Sequence, residues 1–337
     1  MPLKPCIRVF TLQALGNSIL AFPVVNALKE NCEIELHLMN LTGFEFYRDL
    51  NLGIKLVLYR HTSELIFKNR TKCDFAVSLY PNWKRELFAL LCASSRQKLS
   101  FWDEDYPLSR VVPWDKIKRE PVHDLENNWK IVEKLNSDAS YSDLASLFAK
   151  AKERKVSLHP TSSSRYKFYP QKFWVNLIQY FHSQNLEINV FCGESKEEQD
   201  FCDEILGLSN TNAKMRLFKG MSFNSVMQTI ASSQVFIGLD SALAHLAAFL
   251  DIPVVVLWSF GDYTRIYPYG SDVHIYLPEE RRKIKRFVFG HLKEYKSYGD
   301  SLKRADVQDI VRILEKEKKE DFLIFSKFKK PVKVYLF

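Results

Sequence analysis

A strand that runs straight into a helix and out into a second strand leaves few architectures open, and the run from Val235 to Trp258, VFIGLDSALAHLAAFLDIPVVVLW, has that pattern. Val235 to Ile237 is β-branched and aromatic, as a buried strand requires. Gly238 lets the backbone tighten, and Asp240 and Ser241 form the turn. Ser241 is placed to cap a helix over Ala242 to Leu250, which Pro253 closes. Such a helix start aims free N–H groups and the positive end of a dipole at whatever occupies the crevice, which makes it an anion site.

The same alternation runs through the chain. Strands are predicted at Cys6 to Leu12, Ile34 to Leu38, Ile54 to Tyr59 and Asp74 to Leu79. Helices are predicted at Ser18 to Lys29, Phe44 to Leu50, Asn82 to Cys92, Leu125 to Leu135 and Tyr141 to Lys150. A charged stretch, Lys150 to Lys155, precedes a fresh start with strands at Val156 to His159, Ile188 to Cys192 and Met215 to Phe218. Helices at Gln171 to His182, Lys196 to Leu206 and Phe223 to Ser232 alternate with them. The pattern predicts an α/β protein of two doubly wound domains facing a cleft, with ligands at the carboxyl ends of the strands. The expected divisions are residues 1–151, 152–300 and a tail, 301–337. In the tail, Ser301 to Lys318 reads as an amphipathic helix, and Asp321 to Phe337 mixes aromatics with lysines. Two fates are expected for it: packing back on the first domain, or lying at an anionic membrane surface.

Composition excludes several classes. No run of about eighteen apolar residues is present to span a bilayer. The N-terminus enters a strand without a signal-peptide pattern, so a cytoplasmic location is expected, with peripheral attachment to the inner membrane as an option. Six scattered cysteines lack metal or redox spacing and read as buried thiols. A formal net charge of +8 favours an anionic partner. The strongest basic run, Glu279 to Arg286, lacks interleaved aromatics, and no nucleic-acid partner is expected.

Four strand-end loops carry the candidate chemistry. His159 to Ser164 supplies hydroxyls, including Thr161, and leads to Lys167 and Pro170, a combination suited to phosphate oxygens. Gly193 and Glu194 end the next strand, and Glu197 follows on the helix, where a carboxylate can take ribose hydroxyls. Asp240, Ser241, Ala242 and His245 form the third loop and Asp262 the fourth. Singly, each has a plainer reading as a turn, a solvated helix start or a core histidine.

In this order and spacing the residues resemble glycosyltransferase family nine, the lipopolysaccharide heptosyltransferases. The family's Asp-(Thr/Ser)-Gly-x-x-His signature is matched by Asp240-Ser241-Ala242-Leu243-Ala244-His245, with Pro253 in place. Its lysine before a Trp-Pro pair is similar to Lys167-Phe168-Tyr169-Pro170, and its Gly-Asp turn with a Leu-x-x-Pro helix resembles Gly16-Asn17 and Leu20 to Pro23. The resemblance implies a GT-B fold and an inverting transfer from an ADP-sugar, with no metal or other cofactor, to an anionic glycolipid acceptor. It implies that Lys167 neutralises the diphosphate, the backbone at Ser241 and Ala242 binds its oxygens, Asp240 and His245 orient the donor, and Glu197 faces the ribose. Lys72, Lys84, Arg85 and Arg96 are the expected acceptor contacts in the first domain.

Three positions depart from the family. Asn17 stands where the family has its proposed catalytic aspartate, and an amide does not take up a proton at neutral pH. Three readings stay open: another carboxylate serves, with Asp103, Glu104 and Asp105 on a loop of the same domain the expected source; Asn17 orients the hydroxyl in a slower reaction; or the chain binds a nucleotide sugar without transferring it. Asp103 and Asp105 also form a D-x-D, read as a solvated loop and not as a metal site. Ala242 replaces a glycine, which is tolerated if the residue already lies in the helix. Trp258 to Asp262 keeps only Asp262 of the family's Gly-Pro-Thr-Asp.

Overall fold

The structure, a computed structural model, describes residues 4–80, 84–102, 114–135, 138–142, 144–148, 152–209, 214–259, 262–279 and 301–337. Asp103, Glu104, Asp105 and nearly all of the basic run after Glu279 lie outside the described residues. The chain divides into two compact units, Met1–Asp143 and Leu144–Phe337, and the change falls ahead of the expected boundary at 152.

The first unit is a six-stranded sheet of order β3-β2-β1-β4-β5-β6. Its strands are β1 (Cys6–Thr11), β2 (Glu33–Leu38), β3 (Lys55–Leu58), β4 (Cys73–Ser78), β5 (Ser95–Trp102) and β6 (Asp115–Lys118), all paired in parallel. The helices are α1 (Leu15–Leu20), α2 (Phe22–Leu28), α3 (Leu41–Leu50), α4 (Glu64–Lys68), α5 (Lys84–Cys92) and α6 (Asp124–Leu135). The helix expected over Ser18 to Lys29 is two, joined at Ala21. Pro23 near the start of α2 has no N–H to continue the ladder from α1. The segment from 141 to 150, expected as a helix, is described only as a short 3-10 turn, Leu144–Leu147. Phe10, Leu12, Tyr59, Leu65, Ala76, Ala89 and Leu90 form a core between sheet and helices.

The second unit is an eight-stranded sheet of order β13-β14-β12-β11-β10-β7-β8-β9. In chain order it comprises β7 (Lys155–His159), α7 (Gln171–Ser183), β8 (Glu187–Phe191), α8 (Lys196–Ser209), β9 (Met215–Phe218) and α9 (Phe223–Ala231). It continues with β10 (Val235–Leu239), α10 (Ala242–Phe249), β11 (Val254–Leu257), β12 (Val273–Leu277), α11 (Val307–Leu314), β13 (Phe322–Ile324) and β14 (Val332–Leu336). Every residue of β10 is buried, as befits an inner strand covered on both faces. α10 ends on Leu250 with Asp251 left-handed at φ 56°, and Pro253 follows.

The tail completes the sheet of the second unit. β14 pairs in parallel with β12, and β13 folds back antiparallel on β14. Tyr335 and Val334 are buried, and Phe337 stacks on Tyr276 with centroids 4.2 Å apart. The helix expected over Ser301 to Lys318 narrows to α11, because Asp306 breaks it as an extended N-cap whose carboxylate accepts from Gln308 N–H. Phe325 remains exposed. Among the described residues no helix is long and apolar enough to cross a membrane.

Candidate functional site

In the second unit the strand order reverses between β7 and β10, so the crevice at their carboxyl ends is the place for a ligand. Side chains from both strand ends meet there. His159 Nδ1 lies 2.9 Å from Ser241 Oγ. The contact explains Gly238 on the neighbouring strand: a Cβ there would come within 2.8 Å of the Phe236 ring and 3.1 Å of His159 Cβ. It also draws the Ser241 hydroxyl away from the capping role expected of it, and α10 has no side-chain cap. The N–H groups of Ala242 and Leu243 therefore have no acceptor among the described residues. Ala242 is the first residue of α10, so its methyl group needs no left-handed backbone.

Lys167 ends the 3-10 turn Arg165–Lys167, and its Nζ reaches across the crevice to Asp240. It lies 2.6 Å from Asp240 Oδ2 and donates to the Asp240 carbonyl at 3.1 Å. The ammonium thus sits at the open end of α10, where two sources of positive potential add. His245, one turn into α10, is buried, and its Nδ1 has no hydrogen-bond partner among the described residues. Burial pushes its imidazole down to about 4, opposed by Asp240 and reinforced by Lys167, so the ring is neutral at pH 7. Burial also lowers His159 to about 4. Ser259, two residues past β11, is buried, and its hydroxyl has no hydrogen-bond partner among the described residues.

The other candidates lie on the surrounding loops. Thr161 is fully buried, and its hydroxyl accepts from Gly193 N–H at 3.4 Å, tying the β7 loop to the β8 loop. Glu197 is exposed on the first turn of α8 and pairs with Arg165 at 2.9 Å, a partner the sequence pattern did not single out. Its neighbour Glu198 turns inward, forming a capping box with Ser195. Asp262 holds its own turn, accepting from Thr264 N–H at 3.1 Å and from the Thr264 hydroxyl at 2.6 Å. The Tyr169 hydroxyl donates to the Trp258 carbonyl at 2.9 Å and fixes the lysine loop against the end of β11. Among the described residues no three His, Cys, Asp or Glu side chains cluster as metal ligands would.

In the first unit the order reverses between β1 and β4. Asn17 lies there on α1, half-buried, its amide N–H donating to Gln13 Oε1 and its carbonyl accepting from the Tyr80 hydroxyl at 3.2 Å. Arg96, one of the expected acceptor contacts, pairs with Asp74 at 3.2 Å. A residue that sequence reasoning passed over, Glu86 on α5, is fully buried beneath the same turn. The signal was available, because Glu86 shares a helical face with Ala89, Leu90 and Ala93 and so is a carboxylate on the core side.

Two doubly wound units, one with a lysine and a helix start converging at its switch point, have the architecture of the GT-B fold class. Within that class, the model for glycosyltransferase family 9 (heptosyltransferase) matches residues 108–294, more than half of the chain, and the chain belongs to that family. Lipopolysaccharide heptosyltransferase 3 of Escherichia coli is 21% identical over 293 residues, covering 77% of this chain and 84% of the relative. Lipooligosaccharide heptosyltransferase 2 of Campylobacter jejuni is 26% identical over 284 residues, covering 77% and 83%. Among solved structures, the E. coli heptosyltransferase WaaC with ADP superposes with a TM-score of 0.73 at 13% identity, over 93% of this chain and 100% of that one. A family 9 structure from Veillonella parvula gives 0.72 at 14% identity, over 94% and 98%. At these identities the structural likeness bears on the fold alone.

Proposed function

We propose that this protein transfers a heptose or a related sugar from an ADP-sugar to the inner core of a lipopolysaccharide or a similar envelope glycan, inverting the anomeric carbon. The observation that carries the reading is Lys167 held on Asp240 beside the N-terminus of α10, which has no side-chain cap. A diphosphate entering there meets an ammonium and two free backbone donors, and the same groups stabilise the charge that develops on departing ADP. With that charge met by a lysine and a helix start, a metal is not required for the step.

The remaining roles follow from placement. Neutral His245, its Nδ1 unpartnered, is suited to hydrogen-bond an uncharged part of the donor, and Asp240 keeps Lys167 extended. Glu197 with Arg165, Thr161, Ser241, Ala242 and Asp262 line the donor's surroundings, and the first unit takes the anionic acceptor at the carboxyl ends of its strands, where α5 begins with Lys84 and Arg85; Lys72 and Arg96 flank the opposite ends of β4 and β5 and do not serve. A lipid-linked acceptor would be met at the cytoplasmic face of the inner membrane, and the reading makes the protein a peripheral partner there. Asn17 itself favours one second reading, a homologue that binds the nucleotide sugar without transferring it.

Release of ADP from ADP-heptose with a lipopolysaccharide inner-core acceptor separates the two. Acceptor-dependent release, lost in Asp240→Ala, supports transfer. Tight ADP binding without acceptor-dependent release supports the binder.

A further inference from the structure

Four hydrogen bonds converge on the buried carboxylate of Glu86. Oε1 accepts from Leu12 N–H at 3.1 Å and from Gln13 Nε2 at 3.4 Å. Oε2 accepts from the Ser78 hydroxyl at 2.5 Å and from Tyr80 N–H at 3.1 Å. The donors come from the loop after β1 and from the end of β4 and the loop after it, the two sides of the first unit's switch point. Gln13 passes the contact outward: its Oε1 accepts from Asn17 Nδ2, while Asn40 donates to the Gln13 carbonyl at 2.6 Å and holds the turn from the β2 side.

This chain of amides has a direction set by Glu86. An ionised carboxylate only accepts, so the nitrogen of Gln13 must face it. The oxygen of Gln13 then faces Asn17, the nitrogen of Asn17 faces Gln13, and Asn17 Oδ1 is the atom left to receive a donor. No residue among those described donates to that oxygen.

We propose that Glu86 is a positioning residue for glycosyl transfer, acting through Gln13 to present the Asn17 side-chain oxygen to the nucleophilic hydroxyl of the acceptor. The proposal rests on the transfer reading above. The sugar–phosphate bond breaks with its electron pair going to ADP, and the acceptor oxygen bonds the anomeric carbon. The hydroxyl proton, aligned on Asn17 Oδ1, passes to water and is not kept by the amide. The arrangement substitutes orientation for the proton removal that a carboxylate at this position would provide.

The same logic gives the turn a pH response. Burial pushes the Glu86 carboxyl up to about 7, against the lowering effect of its donors. Once protonated, Glu86 can donate to Gln13, and both amides reverse, so that Asn17 presents N–H and no longer accepts. The other ionisable groups facing this cluster are the Tyr80 phenol, pushed up by burial, and the Asp124–Arg119 pair behind it at 2.6 Å. The Tyr80 phenol, raised by burial, stays protonated through the neutral range.

The test uses the full chain with 15N-labelled Asn and Gln side chains, titrated from about pH 5 to about pH 9. The side-chain amide signals of Gln13 and Asn17 are expected to move together with a midpoint near 7 in the native protein. In Gln13→Met, whose side chain cannot bridge, the Asn17 signals should no longer follow that midpoint, and this variant serves if Glu86→Gln does not fold. In turnover, kcat should fall below the same midpoint. Gln13→Met should remove that limb and lower the plateau roughly tenfold, with KM for the ADP-sugar unchanged. Asn17 signals that ignore pH in the native protein, or a limb that survives in Gln13→Met, overturn the proposal. If the native protein transfers nothing, the transfer reading falls, and the amide titration alone decides whether Glu86 orients Asn17.

Discussion

Replacing Lys167 by Met separates what the lysine does for folding from what it does for the ligand. Its Nζ lies 2.6 Å from Asp240 Oδ2, with the side chains 18% and 9% exposed, so the pair is nearly but not fully withdrawn from water. At an effective dielectric of about 20 the gross attraction at that distance is about 6 kcal/mol, most of it offset by desolvation. Met keeps the length and apolar stem but strands a nearly buried carboxylate, and a loss of about 2 to 3 kcal/mol of stability is expected. Adding Asp240→Asn should return most of that loss, because no charge is then left unpaired. ADP affinity should behave otherwise. It should fall by roughly ten to a hundredfold in Lys167→Met and stay low in the double variant, since the cation for the diphosphate is absent from both. Denaturant unfolding and calorimetric titration with ADP read the two quantities. A double variant that regains ADP affinity, or a single variant as stable as the native protein, would refute the reasoning.

Further outcomes follow from the same geometry. Gly238→Ala places a methyl group against Phe236 and His159 and should cost about 1 to 3 kcal/mol in denaturant unfolding while weakening ADP binding through the shifted His159. Removal of the chain after Glu320 deletes β13 and β14 and bares Tyr276; circular dichroism and unfolding should show a protein that does not fold cooperatively, whether or not lipid is present. Stability should fall as pH drops from about 6.5 toward 4. His37, His159 and His245 are each held near 4 in the folded state by burial, while the unfolded chain protonates near 6.5. Each contributes at most about 3 kcal/mol, fully present above 6.5 and lost toward 4. Glu86 runs the other way, since its raised value gives stability present below 4.5 and lost as pH rises through about 7, so Glu86→Gln should steepen the net acid-side fall.

The sequence carried the architecture because its signals are local. Alternating apolar strands and helices place β7 to β11 and the loops at their ends, and the Val235 to Trp258 run holds its strand, helix and strand with the stop at Pro253, although Ser241 bonds His159 and does not cap α10. The strands that escaped notice, β5, β6 and β12 to β14, are either charged on one side, as in Ser95–Trp102, or separated from the fold by loops that dilute the alternation. The tail misled because Tyr335 and Phe337 among lysines resemble an interfacial segment. Only pairing with β12, set by distant residues, makes them core. At the site, His159 and Lys167 lie far in sequence from Asp240 and Ser241, and their convergence follows from strand order. Periodicity within any one element does not report it. Glu86 was legible as a carboxylate on an apolar helix face, but its partners Leu12, Gln13, Ser78 and Tyr80 come from two other loops, and its meaning appears only with them.

The most direct measurement is the mass of the acceptor itself. The purified protein is incubated with ADP-heptose and a lipopolysaccharide inner-core acceptor, and the recovered glycolipid is analysed by mass spectrometry. A gain of one heptose, matched by ADP release and absent in Asp240→Ala, is the expected result. An unaltered acceptor beside a protein that binds ADP tightly through Lys167 would contradict transfer and leave a nucleotide-sugar-binding member of the family.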